Sequence, residues 1–154
     1  MNIGLRKSKI SGKGVFAARD FKEGEVVMIW DLSLKVHFDR IKELSEDDKN
    51  HLNYTGNGVY VVMKSPEKFV NHSCDPNTYV DHEKDIALRD IKKGEEITTD
   101  YSLNSLSEWK MKCNCKSKNC RKIVFGDFRK LDARTKKKYE PYLQKWLKKE
   151  IEKN

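Results

Sequence analysis

Cysteine is the residue type in this chain that most directly names a chemistry. Cys113, Cys115 and Cys120 stand in CNCKSKNC at C-x-C-x4-C spacing. Three thiolates this close can converge on one ion, and Lys112, Lys116, Lys118 and Arg121 around them offset the negative charge. A tetrahedral structural zinc needs a fourth ligand. The one remaining cysteine is Cys74, in FVNHSCDPN at 69–77, and as fourth ligand it would clip that stretch to the C-terminal segment. The competing arrangement leaves the shell to water or to one of four histidines, His37, His51, His72 and His82.

The stretch around Cys74 is a second candidate. It sets Asn71, His72, Ser73 and Cys74 in a row after an apolar pair. Pro76 ends any regular strand or helix, and Asp75 and Asn77 favour turns through their own side-chain hydrogen bonds. The polar cluster therefore lies where the chain bends, as an ordinary polar turn or as a site. A third candidate, GEEITTDYS at 94–102, brings Tyr101, which reads on its own as a core aromatic.

These residues need elements to position them. FAARDFKEGEVV at 16–27 and IALRDIKKGEEI at 86–97 echo each other, sharing Arg-Asp, an apolar residue, Lys and Gly-Glu. Each reads as strand, tight turn, strand, with Gly24 or Gly94 supplying a backbone angle that other residues resist. GVYVVMKS at 58–65 reads as a further strand. Phe38, Ile41, Leu44 and Leu52 have helical spacing, and Ser45 followed by Asp48 is a weak N-cap signal for a second short helix. From Asp132 onward, Tyr139, Leu143, Trp146, Leu147 and Ile151 form an apolar stripe, with Pro141 interrupting or starting the helix. Short strands with a few helices make this a β-rich α+β domain.

A length of 154 residues fits one domain with a single core. Charged residues make up 36% of the chain, yet fifteen aromatics argue against disorder. The net charge of +8 points to an acidic partner or nucleic acid, or simply to soluble surface lysines. The lysines of TKKKY at 135–139 are read the same two ways. The N-terminus lacks the apolar run of a signal peptide, and no stretch reaches the length of a membrane span. The expected setting is intracellular, with no membrane partner, where cysteines hold metal more often than they form disulfides.

Taken together, FVNHSCDPN, GEEITTDYS and CNCKSKNC, preceded by KSKISGKGVFAARDFKEGE, resemble the SET-domain protein lysine methyltransferases, in the family's order, from about Lys7 to Arg121. The resemblance implies transfer of a methyl group from S-adenosylmethionine to the ε-amine of a lysine in a protein substrate, a histone or another basic protein. It implies a fold of several small β-sheets with a knot-like C-terminal crossing, a post-SET zinc site and a C-terminal helix. On that basis 1–106 is the SET domain, with its variable insert at about 34–54. Residues 107–125 are the post-SET zinc segment, and 126–154 a largely helical extension.

Residue by residue, the resemblance gives Lys13, Gly14 and Val15 backbone contacts with the cofactor, where the bare sequence offers only a hairpin turn. It gives Asn71 and His72 the cofactor's amino group and adenine, makes Tyr101 catalytic, leaves Asp100 to support the crossing, and makes Tyr60 a wall of the lysine channel. The zinc is structural, since methyl transfer needs no metal. Thr99 departs from the family pattern, which has Phe or Tyr before Asp-Tyr, and its smaller side chain leaves room for more than one methyl group. Two other readings compete: a catalytically silent SET-like module binding basic peptides or nucleic acid, and a zinc-bearing nucleic-acid binder. Retention of Asn71, His72 and Tyr101 favours the active enzyme.

Overall fold

A computed structural model describes residues 2–153. Met1 and Asn154, the outer limits of the first and last expected segments, lie outside the described residues. The strands are β1 (Ile3–Lys7), β2 (Lys13–Ala17), β3 (Val26–Ile29) and β4 (Lys35–His37). After α1 (Glu46–Lys49) come β5 (Leu52–Gly56), β6 (Val59–Val62), β7 (Asn71–His72), β8 (Thr78–Asp81), β9 (Lys84–Ala87) and β10 (Glu96–Thr99). The chain closes with β11 (Leu106–Lys112), β12 (Ile123–Asp127), α2 (Ala133–Tyr139) and α3 (Lys145–Glu152).

They form four small sheets, ordered β1-β2-β10-β7, β3-β9-β8, β4-β6-β5 and β11-β12. All the pairings of named strands are antiparallel except that of β10 with β7, which sets Thr98 beside Asn71 and Thr99 beside His72. Val15, Ala17, Phe21, Val27, Met28, Val70, Ala87, Ile91 and Ile97 form the core between the first two sheets. Among the described residues no helix is long and apolar enough to cross a membrane.

The two echoed turns lie against each other and exchange the same contacts. Phe21 and Ile91 bond through both backbone groups, at 2.8 and 2.9 Å. Asp20 accepts from Lys93 N and Lys92 Nζ, while Asp90 accepts from Glu23 N and Lys22 Nζ. Gly24 N donates to Ala87 O, and Gly94 N to Ala17 O. Both glycines sit at positive φ, 82° and 92°, which costs a side-chain-bearing residue about 1 kcal/mol or more. Each echo thus caps a strand of the other and fixes where β3 and β10 begin.

The insert departs from its expected helical form. Phe38–Glu43 is a 3₁₀ turn, α1 spans only four residues, and neither buries a side chain. Phe38 is 61% exposed, and Leu52 belongs to β5, where it pairs with Val62. The apolar residues at 38–52 are too few to seat a helix, so strand pairing decides the second half. The Ser45 cap is present, with its side chain accepting from Asp48 N at 3.1 Å. In the tail, Pro141 sits in a 3₁₀ turn at Glu140–Tyr142 that separates α2 from α3. Tyr139, Leu143 and Leu147 pack with Leu103, Phe128 and Leu131 into a second core, which braces the residues after Tyr101.

Candidate active site and metal centre

The sulfurs of Cys74, Cys113, Cys115 and Cys120 lie within 4.8 Å of one another. Tetrahedral zinc at ~2.3 Å from each thiolate requires separations near ~3.8 Å, and Cys74 Sγ to Cys113 Sγ is 3.7 Å. The four sulfurs therefore fit such an ion. Of the four histidines, His37 is against Asp39, His51 against Asp47 and His82 against Asp81, while His72 touches Cys74 alone among the sulfurs and falls outside the group of converging ligand atoms. Burial raises the Cys74 thiol, whereas around Cys115 burial is outweighed by bonds to the Cys74 backbone and Ser117, bringing it down to about 6.

A buried polar junction surrounds this cluster. Arg121 forks onto Asp100, Nη1 to Oδ2 and Nη2 to Oδ1, both at 2.7 Å, and its backbone N points at Cys74 Sγ. Asp100 is fully buried and also accepts from Ser102 N, capping the 3₁₀ turn at Tyr101–Asn104. His72 Nδ1 accepts from Tyr101 N at 3.1 Å, so the proton sits on Nε2, which donates to Cys74 Sγ at 3.3 Å. Burial drives this imidazole down to about 4, although Asp100 pulls the other way. The polar turn at 71–74, the Asp-Tyr end of β10 and the cysteine segment are thereby locked together.

One residue along the same strand pair, Asn71 reaches the loop before β2. Its Nδ2 donates to Ser11 O, Lys13 O and Glu96 Oε1 at 2.8–3.1 Å. Glu96 also accepts from Ser8 Oγ at 2.8 Å, and a Cβ added to Gly14 would crowd Glu96 Oε1. A side chain at 14 would therefore push this carboxylate out of its bonds with Ser8 and Asn71. Val15 lies inside the sheet, in register with Leu5 on one side and Ile97 on the other, with its side chain in the core. Lys13 is exposed, its ammonium 5.6 Å from the centre of the Phe69 ring.

The three expected channel residues, Tyr60, Thr99 and Tyr101, line one cavity of about 520 Å³. Tyr101 Oη donates to Val70 O at 2.7 Å, and its ring meets the edges of His72 and Trp109. Burial, aided by the charge of Glu96, pushes its phenol up to about 12. Thr99 is 7% exposed, and its Oγ1 has no hydrogen-bond partner. Tyr54 packs on Tyr60 with ring centres 4.9 Å apart, and Trp109 lies over Gly126, where no Cβ would fit.

Several of these residues are missed by reading the sequence. Glu96, Trp109 and Tyr54 carry no local signal, because what distinguishes each is a neighbour distant in the chain. Arg121 is the partial exception: its place directly after the last cysteine marks it as part of the metal segment, but not as the partner of Asp100.

Comparison with known proteins agrees with this geometry. The SET domain family model matches residues 12–102. Histone-lysine N-methyltransferase trithorax of Drosophila virilis is 31% identical over 143 residues, covering 79% of this chain and 4% of that protein. Histone-lysine N-methyltransferase 2B of Homo sapiens is 31% identical over 146 residues, covering 79% and 5%. Histone-lysine N-methyltransferase, H3 lysine-36 specific, of Saccharomyces cerevisiae is 31% identical over 134 residues, covering 77% and 18%. The chain thus spans less than a fifth of each of these relatives.

Proposed function

Because the chain belongs to the SET-domain family, we propose that it is a protein-lysine N-methyltransferase that uses S-adenosylmethionine. The observation that carries this reading is the convergence of Tyr60, Thr99 and Tyr101 on one cavity, one residue from Asn71 and its loop. Ser11 O, Lys13 O and Glu96 Oε1 gather acceptors around Asn71. An acceptor-rich corner suits a cationic amine and sulfonium, so Lys13, Gly14, Val15, Asn71 and His72 would hold the cofactor. When bound, it supplies an electrophilic methyl group.

The chain's own task is to present a neutral, aligned amine. Lysine titrates near ~10.4, so neutralising it at pH 7 costs roughly 4–5 kcal/mol. Aromatic walls at Tyr54, Tyr60, Tyr101 and Trp109 exclude water and disfavour the ammonium. Tyr101 Oη donates its hydrogen bond to Val70 O, leaving its lone pairs to accept from the amine or the polarised methyl group. Held near 12 it stays a neutral phenol, so it positions the amine and is not the base. The amine's proton leaves to water. Thr99, with a small side chain and an unpartnered hydroxyl, favours transfer of more than one methyl group.

The four cysteines hold a structural zinc in a post-SET segment, and the His72 Nε2–H bond to Cys74 supports its thiolate form. We read the parallel β7–β10 pairing as part of the family's knot-like crossing, and 1–106, 107–125 and 126–154 as the domain limits. The relatives' names put a histone lysine first among substrates, which sets the protein inside the cell; the +8 charge is compatible with nucleic acid close by.

The test is label transfer from tritiated S-adenosylmethionine to core histones and other basic proteins by the zinc-loaded chain. Wild type is expected to label lysine, with about a hundredfold loss in Tyr101→Phe, the scale of removing one positioned polar group, and little change in melting. Equal labelling by Tyr101→Phe would remove that residue from the reaction. Cofactor binding without labelling of any protein would favour the silent module.

A further inference from the structure

The inner wall of the cavity carries two acids that methyl transfer leaves without a task. Glu67 and Asp85 both line it and are only 7% and 2% exposed. Consecutive residues after β3 give each one neutral donor: Trp30 Nε1 reaches Asp85 Oδ2 at 2.7 Å, and Asp31 N reaches Glu67 Oε1 at 3.1 Å. Glu67 Oε2 is buried with no partner. Among the described residues neither acid is in an ion pair, and the basic side chains on the rim are engaged elsewhere. Lys49 Nζ lies 2.6 Å from Glu46, Lys68 Nζ 3.2 Å from Asp47, and His51 Nδ1 2.7 Å from Asp47 O. Burial and the charge of Glu67 hold Asp85 up at about 7, against its bond from Trp30. Two buried carboxyls with no cation between them form a wall that a ligand cation would relieve.

We infer that Glu67 and Asp85 form a subsite for a second basic side chain of the substrate, arginine or lysine, lying beside the lysine that is methylated. The inference rests on the methyltransferase reading for the target lysine alone. About 520 Å³ is on the scale of a pocket for a whole small ligand, with room for more than one side chain. A guanidinium fork matches carboxylate oxygens, and Trp30, which fixes Asp85, lines the same wall. The protein's net charge of +8 repels basic peptides at long range, so a preference for them has to be local.

The experiment uses peptides with one central lysine in a glycine–serine background. Arginine is walked over the three positions on each side, and each peptide is compared with its citrulline twin. Binding to the full zinc-loaded chain is read by fluorescence anisotropy with S-adenosylhomocysteine present, and methyl transfer is read in parallel. At one position arginine is expected to bind about tenfold tighter than citrulline, the scale of a charge-assisted hydrogen bond. That ratio should fall to about one in Glu67→Gln and drop clearly in Asp85→Asn, both of which keep the bonds from Asp31 and Trp30. Should Glu67→Gln fail to fold, Asp85→Asn decides. No arginine preference at any position, or the same preference in variants that melt like wild type, overturns the subsite. A preference without turnover defeats the methyltransferase reading and leaves the subsite standing; turnover with equal use of arginine and citrulline peptides does the reverse.

Discussion

Thr99 and Asp100 are adjacent and both buried, at 7% and 0% exposed, yet their polar atoms meet opposite fates. Asp100 accepts three hydrogen bonds, two from Arg121 and one from Ser102 N. The Thr99 hydroxyl meets none. The contrast extends outward on both sides. Around Asp100, the side chains of His72 and Arg121 and the sulfur of Cys74 are linked in one network, Arg121 Nε being the exception. Around Thr99, the cavity wall holds the spare oxygen of Glu67 and a carboxyl at Asp85 that burial pushes up to about 7. Buried polar atoms are nearly always satisfied, so those left open mark where something else is to bind. The junction is built to stay and the cavity to be filled.

Metal removal tests the first half of that contrast most severely. Structural zinc contributes on the order of 10 kcal/mol in small domains. A strong chelator should therefore lower the melting temperature more than any single substitution; an unchanged melting curve would mean that the junction stands without an ion. Next in size is Arg121→Met, which leaves Asp100 buried and unpaired at a cost of about 3–5 kcal/mol. Adding Asp100→Asn should recover most of that loss in urea denaturation. Equal losses in single and double variants would show that the pair is not the clasp.

The cavity side has the opposite sign. The folded protein holds a proton on Asp85 that the unfolded chain, near 3.8, releases between about pH 4 and 7. Stability from this group is thus present at low pH and lost as pH rises through about 7. One pKa unit corresponds to ~1.4 kcal/mol, so the swing is at most about 4 kcal/mol. Asp85→Asn keeps an acceptor for Trp30 and should be more stable than wild type at pH 8, with the advantage gone at pH 4. A variant that loses stability at pH 8 would show that the carboxylate has a partner. Smallest of all, Thr99→Val should gain about 1 kcal/mol, because an unsatisfied buried hydroxyl disappears. A loss instead would place a tightly held water on that hydroxyl.

What could be read from the letters divides along the same line. The cysteine set was legible because C-x-C-x4-C is a local spacing and Cys74 was the only cysteine left. The Ser45 cap and β6 were legible for the same local reason. The echo at 16–27 and 86–97 was visible as a reused turn, but the exchange between Asp20 and Lys92 or Asp90 and Lys22 was not. Leu52 was misread as helical, since three or four apolar residues fit a helix as well as a strand until β6 supplies its partner. Asp100 with Arg121, Glu96 with Gly14, and Glu67 with Asp31 join residues 21, 82 and 36 positions apart, and only tertiary packing brings them together. Thr99 was visible as an odd residue before Asp-Tyr; that its hydroxyl lacks a partner belongs to the fold.

Calorimetric titration of S-adenosylmethionine into the full zinc-loaded chain, repeated with S-adenosylhomocysteine, tests the central claim most directly. Saturable one-site binding is predicted, abolished by Asn71→Ala, which releases the loop at Ser11 and Lys13. A folded, zinc-loaded protein that binds neither compound, even with a basic lysine peptide present, would contradict the account.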